Sequence, residues 1–100
     1  MSRTDSLIVI TSLAIAVAAI ARRRLLSPDI LRAALVPGEV PNVRALIDAL
    51  HEVGENERAI GLVEQLVQLA SLGGWKAAIA AAPAHAVESW DAAVAMARGE

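Results

Sequence analysis

Residues 7–21 read LIVITSLAIAVAAIA, a stretch of fifteen residues without a charge. In a helical projection this stretch is apolar on every side, which predicts a helix buried either in protein or in lipid. Such a helix would be roughly 22 Å long, less than the ~30 Å of a hydrocarbon layer, so spanning requires arginine side chains that snorkel to the headgroups. We predict that residues 1–26 form a membrane-anchor helix that is stopped by the arginines at its end.

The membrane-orienting residues of this interpretation are Arg22, Arg23 and Arg24. Positive residues collect on the cytoplasmic side of a membrane helix, so the arginines place the rest of the chain in the cytoplasm, at a bacterial inner membrane. Two alternatives stay open. A secretory signal has the small-x-small form seen at residues 19–21, but its positive charge should precede the apolar stretch. A central helix of a soluble bundle has the same length and composition.

Composition favours helices throughout the chain. The hydrophobic fraction is 56%, much of it alanine, and the chain contains neither Phe nor Tyr. Alanine is the best helix former, whereas strands prefer aromatic and β-branched residues, so we predict an all-α protein.

Residues 1–26 carry a net charge of +3 and residues 27–100 a net charge of −5. The acidic part would repel nucleic acid, whose affinity depends on clustered Lys and Arg.

Helix start and stop signals divide the remainder. The sequence Ser27-Pro28-Asp29 predicts the start of a short helix that runs to about residue 36, and a loop rich in Pro and Gly follows at residues 37–42. Residues 27–41 are therefore predicted to be a short helix and a linker. Residues 42–100 are predicted to be an acidic, Ala-rich helical domain. Pro83 either starts the last helix or kinks a longer one.

An antiparallel helical hairpin is predicted around Gly54. The first helix presents one apolar stripe, and the second helix, from residue 56 to about residue 72, presents another. The stripe of the first helix is Val43, Leu46, Ile47, Leu50 and Val53, and that of the second is Ile60, Val63, Leu66, Val67 and Ala70. We predict that the hairpin core consists of Leu46, Leu50, Val63 and Leu66, closed by Trp90 from the final helix.

Residues 40–73 resemble one tetratricopeptide-type repeat. The stretch Gly54-Glu55-Asn56-Glu57-Arg58-Ala59-Ile60 is similar to the family's Gly-Asp-x-x-x-Ala-Ile turn, and a shift of 34 residues places Ala59 on Ala93 in a degenerate second copy. The first helix departs from the family, with Val43, Ile47 and Leu50 at its Trp, Gly and Tyr positions. The resemblance implies a protein-binding scaffold and carries no catalytic residues.

The sequence contains one weak cluster of side chains of the kinds that bind metal ions. Asp48, His51, Glu52 and Glu55 lie three or four residues apart, so some of them share a helix face. A zinc protease motif needs a second histidine where Glu55 stands, and a di-iron bundle needs paired Glu-x-x-His motifs. We therefore predict a solvated polar face, no metal, no cofactor, no catalytic residue and no enzyme activity.

These features favour a small single-pass membrane accessory or scaffold protein whose cytoplasmic domain binds a protein partner. The expected partners are the lipid bilayer and a protein or a second copy of the chain, without nucleic acid. One alternative is a membrane-perturbing protein of the holin or bacteriocin kind. Another is a soluble helical interaction module in which the N-terminal helix is buried.

Overall fold

Six helices make up most of residues 3–100, the part of the chain that this computed structural model describes. They are α1 (Arg3–Arg22), α2 (Pro28–Ala34), α3 (Val43–Glu52), α4 (Asn56–Ser71), α5 (Trp75–Ala81) and α6 (Ala84–Arg98). No strand occurs among these residues, so the all-α prediction is confirmed.

Helix α1 lies at the centre of the molecule. It packs along α6 and also contacts α4 and α5. Its largest buried side chains are at most 4% exposed, namely Val9, Ile10, Leu13, Val17 and Ile20. The radius of gyration over Cα atoms is 12.5 Å, close to the ~13 Å of a compact 100-residue domain. The described residues of the segments that the sequence distinguishes, 3–26, 27–41 and 42–100, therefore pack against one another in this structure.

Small side chains bring α1 and α6 together. Ala14 and Ala18 of α1 line the same groove as Ala93 of α6, and all three are at most 6% exposed. Ala86 and Ala97 continue the buried face of α6. Alanine side chains let helix axes approach closely, because interaxial distance depends on the residues at the contact. A core with so little aromatic bulk therefore depends on close approach for its contacts.

Helix boundaries follow the capping chemistry of the chain. Ser27 Oγ accepts a hydrogen bond from Ile30 N at 3.4 Å, and Asn42 Oδ1 accepts one from Ala45 N at 3.0 Å. Pro83 has φ −67° and ψ 154°, an extended conformation that separates α5 from α6. Proline has no N–H to donate, and it is tolerated at the start of a helix because the first N–H groups there have no partner within the helix. Pro83 therefore precedes the last helix and does not kink a longer one.

Two arginines join the ends of α2 and α6. Arg98 Nη1 donates to the carbonyl oxygens of Arg32 at 2.8 Å and Leu35 at 3.0 Å, and Arg32 Nε donates to the carbonyl of Arg98 at 3.2 Å. The last carbonyls of a helix have no partner within the helix and carry partial negative charge. Each guanidinium therefore satisfies the end of the other helix and holds the short α2 on the body.

The two tryptophans form the aromatic part of the core. The ring centroids of Trp75 and Trp90 are 4.8 Å apart with an interplanar angle of 59°. Trp90 is 6% exposed and Trp75 is half-buried. Tilted aromatic pairs at this distance contribute about 0.5–1.5 kcal/mol beyond the burial of their area. The pair therefore links α5, which is only seven residues long, to α6.

Among the described helices, α1 is long and apolar enough to cross a membrane. Its most apolar stretch of 18 residues has a mean hydropathy of 2.0, and 44% of that stretch is buried inside the protein. The core helix of a soluble protein and a signal sequence satisfy the same criterion. Insertion of residues 1–26 into a membrane therefore stays a prediction.

Substitutions on opposite sides of α1 should differ sharply in their effect on the purified protein. Leu13 is 1% exposed and Ile15 is 65% exposed. We expect Leu13→Ala to lower the free energy of unfolding by about 2–5 kcal/mol, because it removes buried area and leaves a cavity. Ile15→Ala should change it by less than about 0.5 kcal/mol. Denaturant melts measure both, and equal effects would mean that α1 is not the core helix in solution.

Candidate functional site

Helix α4 carries two apolar stripes, and only one of them faces the core. The inward stripe is Ala59, Leu62, Leu66 and Leu69, of which Leu66 is half-buried and the others are at most 4% exposed. The outward stripe is Ile60, Val63 and Val67, which are 55%, 42% and 61% exposed. We call these three residues the α4 stripe. An exposed run of large apolar side chains on one helix face is typical of an interaction surface.

This arrangement corrects the predicted hairpin core at one position. Leu46 and Leu50 of α3 are buried at 1% and 0% exposure, and α3 packs against α4. Val63 lies outside the core, so its inclusion was wrong. Both stripes of α4 have helical spacing, so periodicity does not distinguish them. The fold buries the stripe that contains three leucines, because it offers more apolar area than the stripe that contains two valines.

The other predicted core residues have distinct surroundings. Leu66 is packed against the core cluster on the inward side of α4. Trp90 reaches the core from α6 and pairs with Trp75 of α5. Val53, at the end of α3, is 54% exposed and also falls outside the core. The sequence signal that identifies the α4 stripe is the presence of two parallel apolar stripes on one helix.

The α4 stripe has an acidic border. At 100° per residue, Glu57 and Glu64 fall between the stripe and the side of α4 that carries Gly61 and Gln65. Gly61 and Gln65 line the groove toward α1, and both glutamates are exposed. A polar ridge therefore separates the α4 stripe from α1.

A second apolar surface lies on the outer side of α1. It consists of Ile8 and Ile15 of α1 with Met96 of α6, which are 56%, 65% and 44% exposed. We call these three residues the α1 patch. Ile15 and Met96 line one groove of about 300 Å³ between the two helices, and Arg22 lines it too.

The predicted membrane-orienting arginines form the exposed end of α1. Arg22, Arg23 and Arg24 are all exposed. Arg24 has a φ of 53°, a left-handed conformation that ends the helix and is uncommon for a residue with a side chain. Arg23 lines a depression together with Glu57 of α4. Of the three arginines, Arg22 lies next to the α1 patch, and Arg23 and Arg24 carry the positive charge around the end of α1.

The polar cluster around His51 does not form a metal centre in the described part of the chain. His51 Nδ1 lies 3.1 Å from Asn56 Oδ1, and Glu55 Oε1 accepts a hydrogen bond from Arg58 Nε at 3.2 Å. Residues 3–100 contain no group of three or more His, Asp or Glu side chains that could hold a metal ion. These side chains instead join the end of α3 to the start of α4.

The two stripes of α4 allow a direct test at neighbouring positions. Leu62 is 2% exposed, and Val63 is 42% exposed. Leu62→Ala should lower the free energy of unfolding by about 2–5 kcal/mol, whereas Val63→Ala should change it by less than about 0.5 kcal/mol. Thermal and denaturant melts of both variants measure the difference. A severe loss from Val63→Ala would restore the hairpin register predicted from the sequence.

Comparison with protein-family models, with curated proteins and with solved structures finds no match to this chain. The resemblance of residues 40–73 to a tetratricopeptide repeat therefore stays a prediction based on the residues themselves. What the protein does must be inferred from the chemistry of the α4 stripe and the α1 patch.

Proposed function

We propose that this protein is a helical interaction module that binds a protein partner through the α4 stripe, with α1 as its central core helix. The observation that carries the proposal is that α4 leaves Ile60, Val63 and Val67 exposed while it buries a separate leucine stripe. These residues therefore contribute little to the fold. Large apolar side chains that do not serve the core lower solubility unless a partner covers them.

The chemistry of the stripe favours a protein as the partner. Its residues recur at positions i, i+3 and i+7, the pattern with which one amphipathic helix docks against another. Glu57 and Glu64 border the stripe with negative charge, which repels the phosphates of nucleic acid and of anionic lipid headgroups. The same border attracts a partner surface that carries arginine or lysine.

Cross-linking in the cell of origin tests the binding surface. A photoreactive amino acid placed at Val63 should give one discrete cross-linked product, because the stripe is covered by its partner. The matched control is the same amino acid at Ala80, an exposed residue of α5 outside both surfaces. Adding Ile60→Glu and Val67→Glu should abolish the product, because charged residues disrupt an apolar contact. No product at Val63, or equal products at both positions, would contradict the proposal.

A membrane-anchored scaffold is the second candidate, and the mean hydropathy of 2.0 for α1 is the observation in its favour. The two candidates differ in what α1 does for the other helices. If α1 entered lipid, the faces of α4 and α6 that pack on it would lose their cover. The core candidate therefore requires α1 for folding, and the anchor candidate does not.

Deletion of residues 1–26 separates the two candidates. If α1 is the core helix, the fragment 27–100 should lose its cooperative thermal transition and aggregate, since Trp90, Val94 and Ala97 become exposed. The full chain should at the same time be soluble without detergent. A fragment that is soluble, helical and cooperative in its melt would instead favour the anchor, as would a full chain that stays with membranes in alkaline carbonate.

A further inference from the structure

We propose that the partner of the α4 stripe is the α1 patch of a second copy of this chain, bound head to tail. This inference rests on the proposed function, because it names the occupant of the same surface. It is carried by two observations about the surfaces, their charge and the spacing of their apolar residues.

The two surfaces have opposite charge at their borders. The α4 stripe is bordered by Glu57 and Glu64. The α1 patch has no acidic residue on its own helix beyond Asp5, and the charges that follow it are those of Arg22, Arg23 and Arg24. On the α6 side, the groove is lined by Ser89, Ala92, Ala93 and Met96 and not by the acidic residues of that helix. Opposite charges on facing surfaces speed encounter and determine the register of binding.

The apolar residues are equally spaced on the two helices. Ile8 and Ile15 are seven residues apart, as are Ile60 and Val67, which corresponds to about 10.5 Å along each helix. An antiparallel arrangement pairs Ile15 with Ile60 and Ile8 with Val67. It also brings the arginines that end α1 to within about one helical turn of Glu57, at the start of α4, where opposite helix dipoles meet favourably. A parallel arrangement would place Arg22 near residue 74, where the chain has no acidic side chain.

Charge makes symmetric pairing of either surface with itself less favourable than pairing of the two different surfaces. Two α4 stripes packed antiparallel about a twofold axis would bring the Glu57 and Glu64 borders of both copies together. Two α1 patches packed in that way would offer Arg22 only Asp5 as an acidic residue on the facing helix. Like charges in contact cost free energy, so the heterologous contact is favoured.

Each copy can use both surfaces at once. On α4 the stripe points away from the side that lines the groove toward α1, and the ridge of Glu57 and Glu64 separates the two surfaces. A copy bound through its α4 stripe therefore keeps its α1 patch free. Heterologous contacts of this kind produce open chains unless the rotation closes a ring.

Complementation between two blocked variants of the purified full chain tests the proposal. Ile8→Glu with Ile15→Glu blocks the α1 patch, and Ile60→Gln with Val67→Gln blocks the α4 stripe without adding a charge that could form a new pair. All four positions are more than half exposed, so the folds should survive, which circular dichroism and melts check. Val40→Gln is the matched control, because Val40 is 54% exposed in a loop outside both surfaces.

Sedimentation velocity of these proteins distinguishes the outcomes. We expect the wild type and Val40→Gln to form species of increasing size with concentration, and each blocked variant to stay monomeric. The equimolar mixture of the two blocked variants should form a dimer that does not grow further. A wild type that is monomeric up to roughly 1 mM would overturn the proposal, and so would a mixture that stays monomeric while the wild type associates.

A charge exchange tests the antiparallel register. Arg22→Glu alone and Glu57→Arg alone should each raise the apparent dissociation constant by roughly 3–10-fold, as expected for one partly exposed ion pair. The chain with both substitutions should recover most of the wild-type association. Failure of recovery would overturn the register.

Failure of this inference is distinguishable from failure of the proposed function. A monomeric purified chain that still gives a discrete cross-linked product at Val63 in the cell would leave the interaction module in place and exclude the second copy as its partner. The absence of any product at Val63 would remove both.

Discussion

The structure depends on covering a helix that is apolar on every side. Residues 7–21 offer no polar face, and in this structure other helices pack around α1 and exclude water from it. Helices α4, α5 and α6 pack on α1, and eight of its twenty residues are buried. The short helices α2 and α5 depend on such packing, because a helix of seven residues is not stable in isolation.

Coverage of α1 is incomplete, and the uncovered part is as informative as the core. A chain of 100 residues forms few helices that can cover α1. Ile8 and Ile15 of α1 and Met96 of α6 therefore stay exposed. Helix α4 has the complementary property, since it carries more apolar side chains than its core position uses. The same composition that makes the core thin therefore leaves two apolar surfaces on the outside. The charged residues nearest to them differ in sign, with Glu57 and Glu64 beside the α4 stripe and Arg22 beside the α1 patch.

Polar side chains hold the short helices and the turns of the molecule in place. Arg32 and Arg98 satisfy the carbonyls at the ends of each other's helices, which fixes α2 against α6. His51 and Asn56 span the turn between α3 and α4 at 3.1 Å. These contacts orient the helices relative to one another.

The sequence by itself determined the helices and their ends. The caps at Ser27 and Asn42 and the turn at Gly54 are local, because each depends on the conformation or hydrogen bonding of a few neighbouring residues. For Pro83 the sequence left open whether it starts a helix or kinks one, and the structure places it before α6. Tertiary structure decided which apolar faces are buried. Helical periodicity is identical for the Leu62 and the Val63 stripes of α4, and it is the same for α1 in lipid and in protein. Only the positions of the other helices distinguish these cases, since burial is a property of what packs against a residue and not of its spacing along the chain.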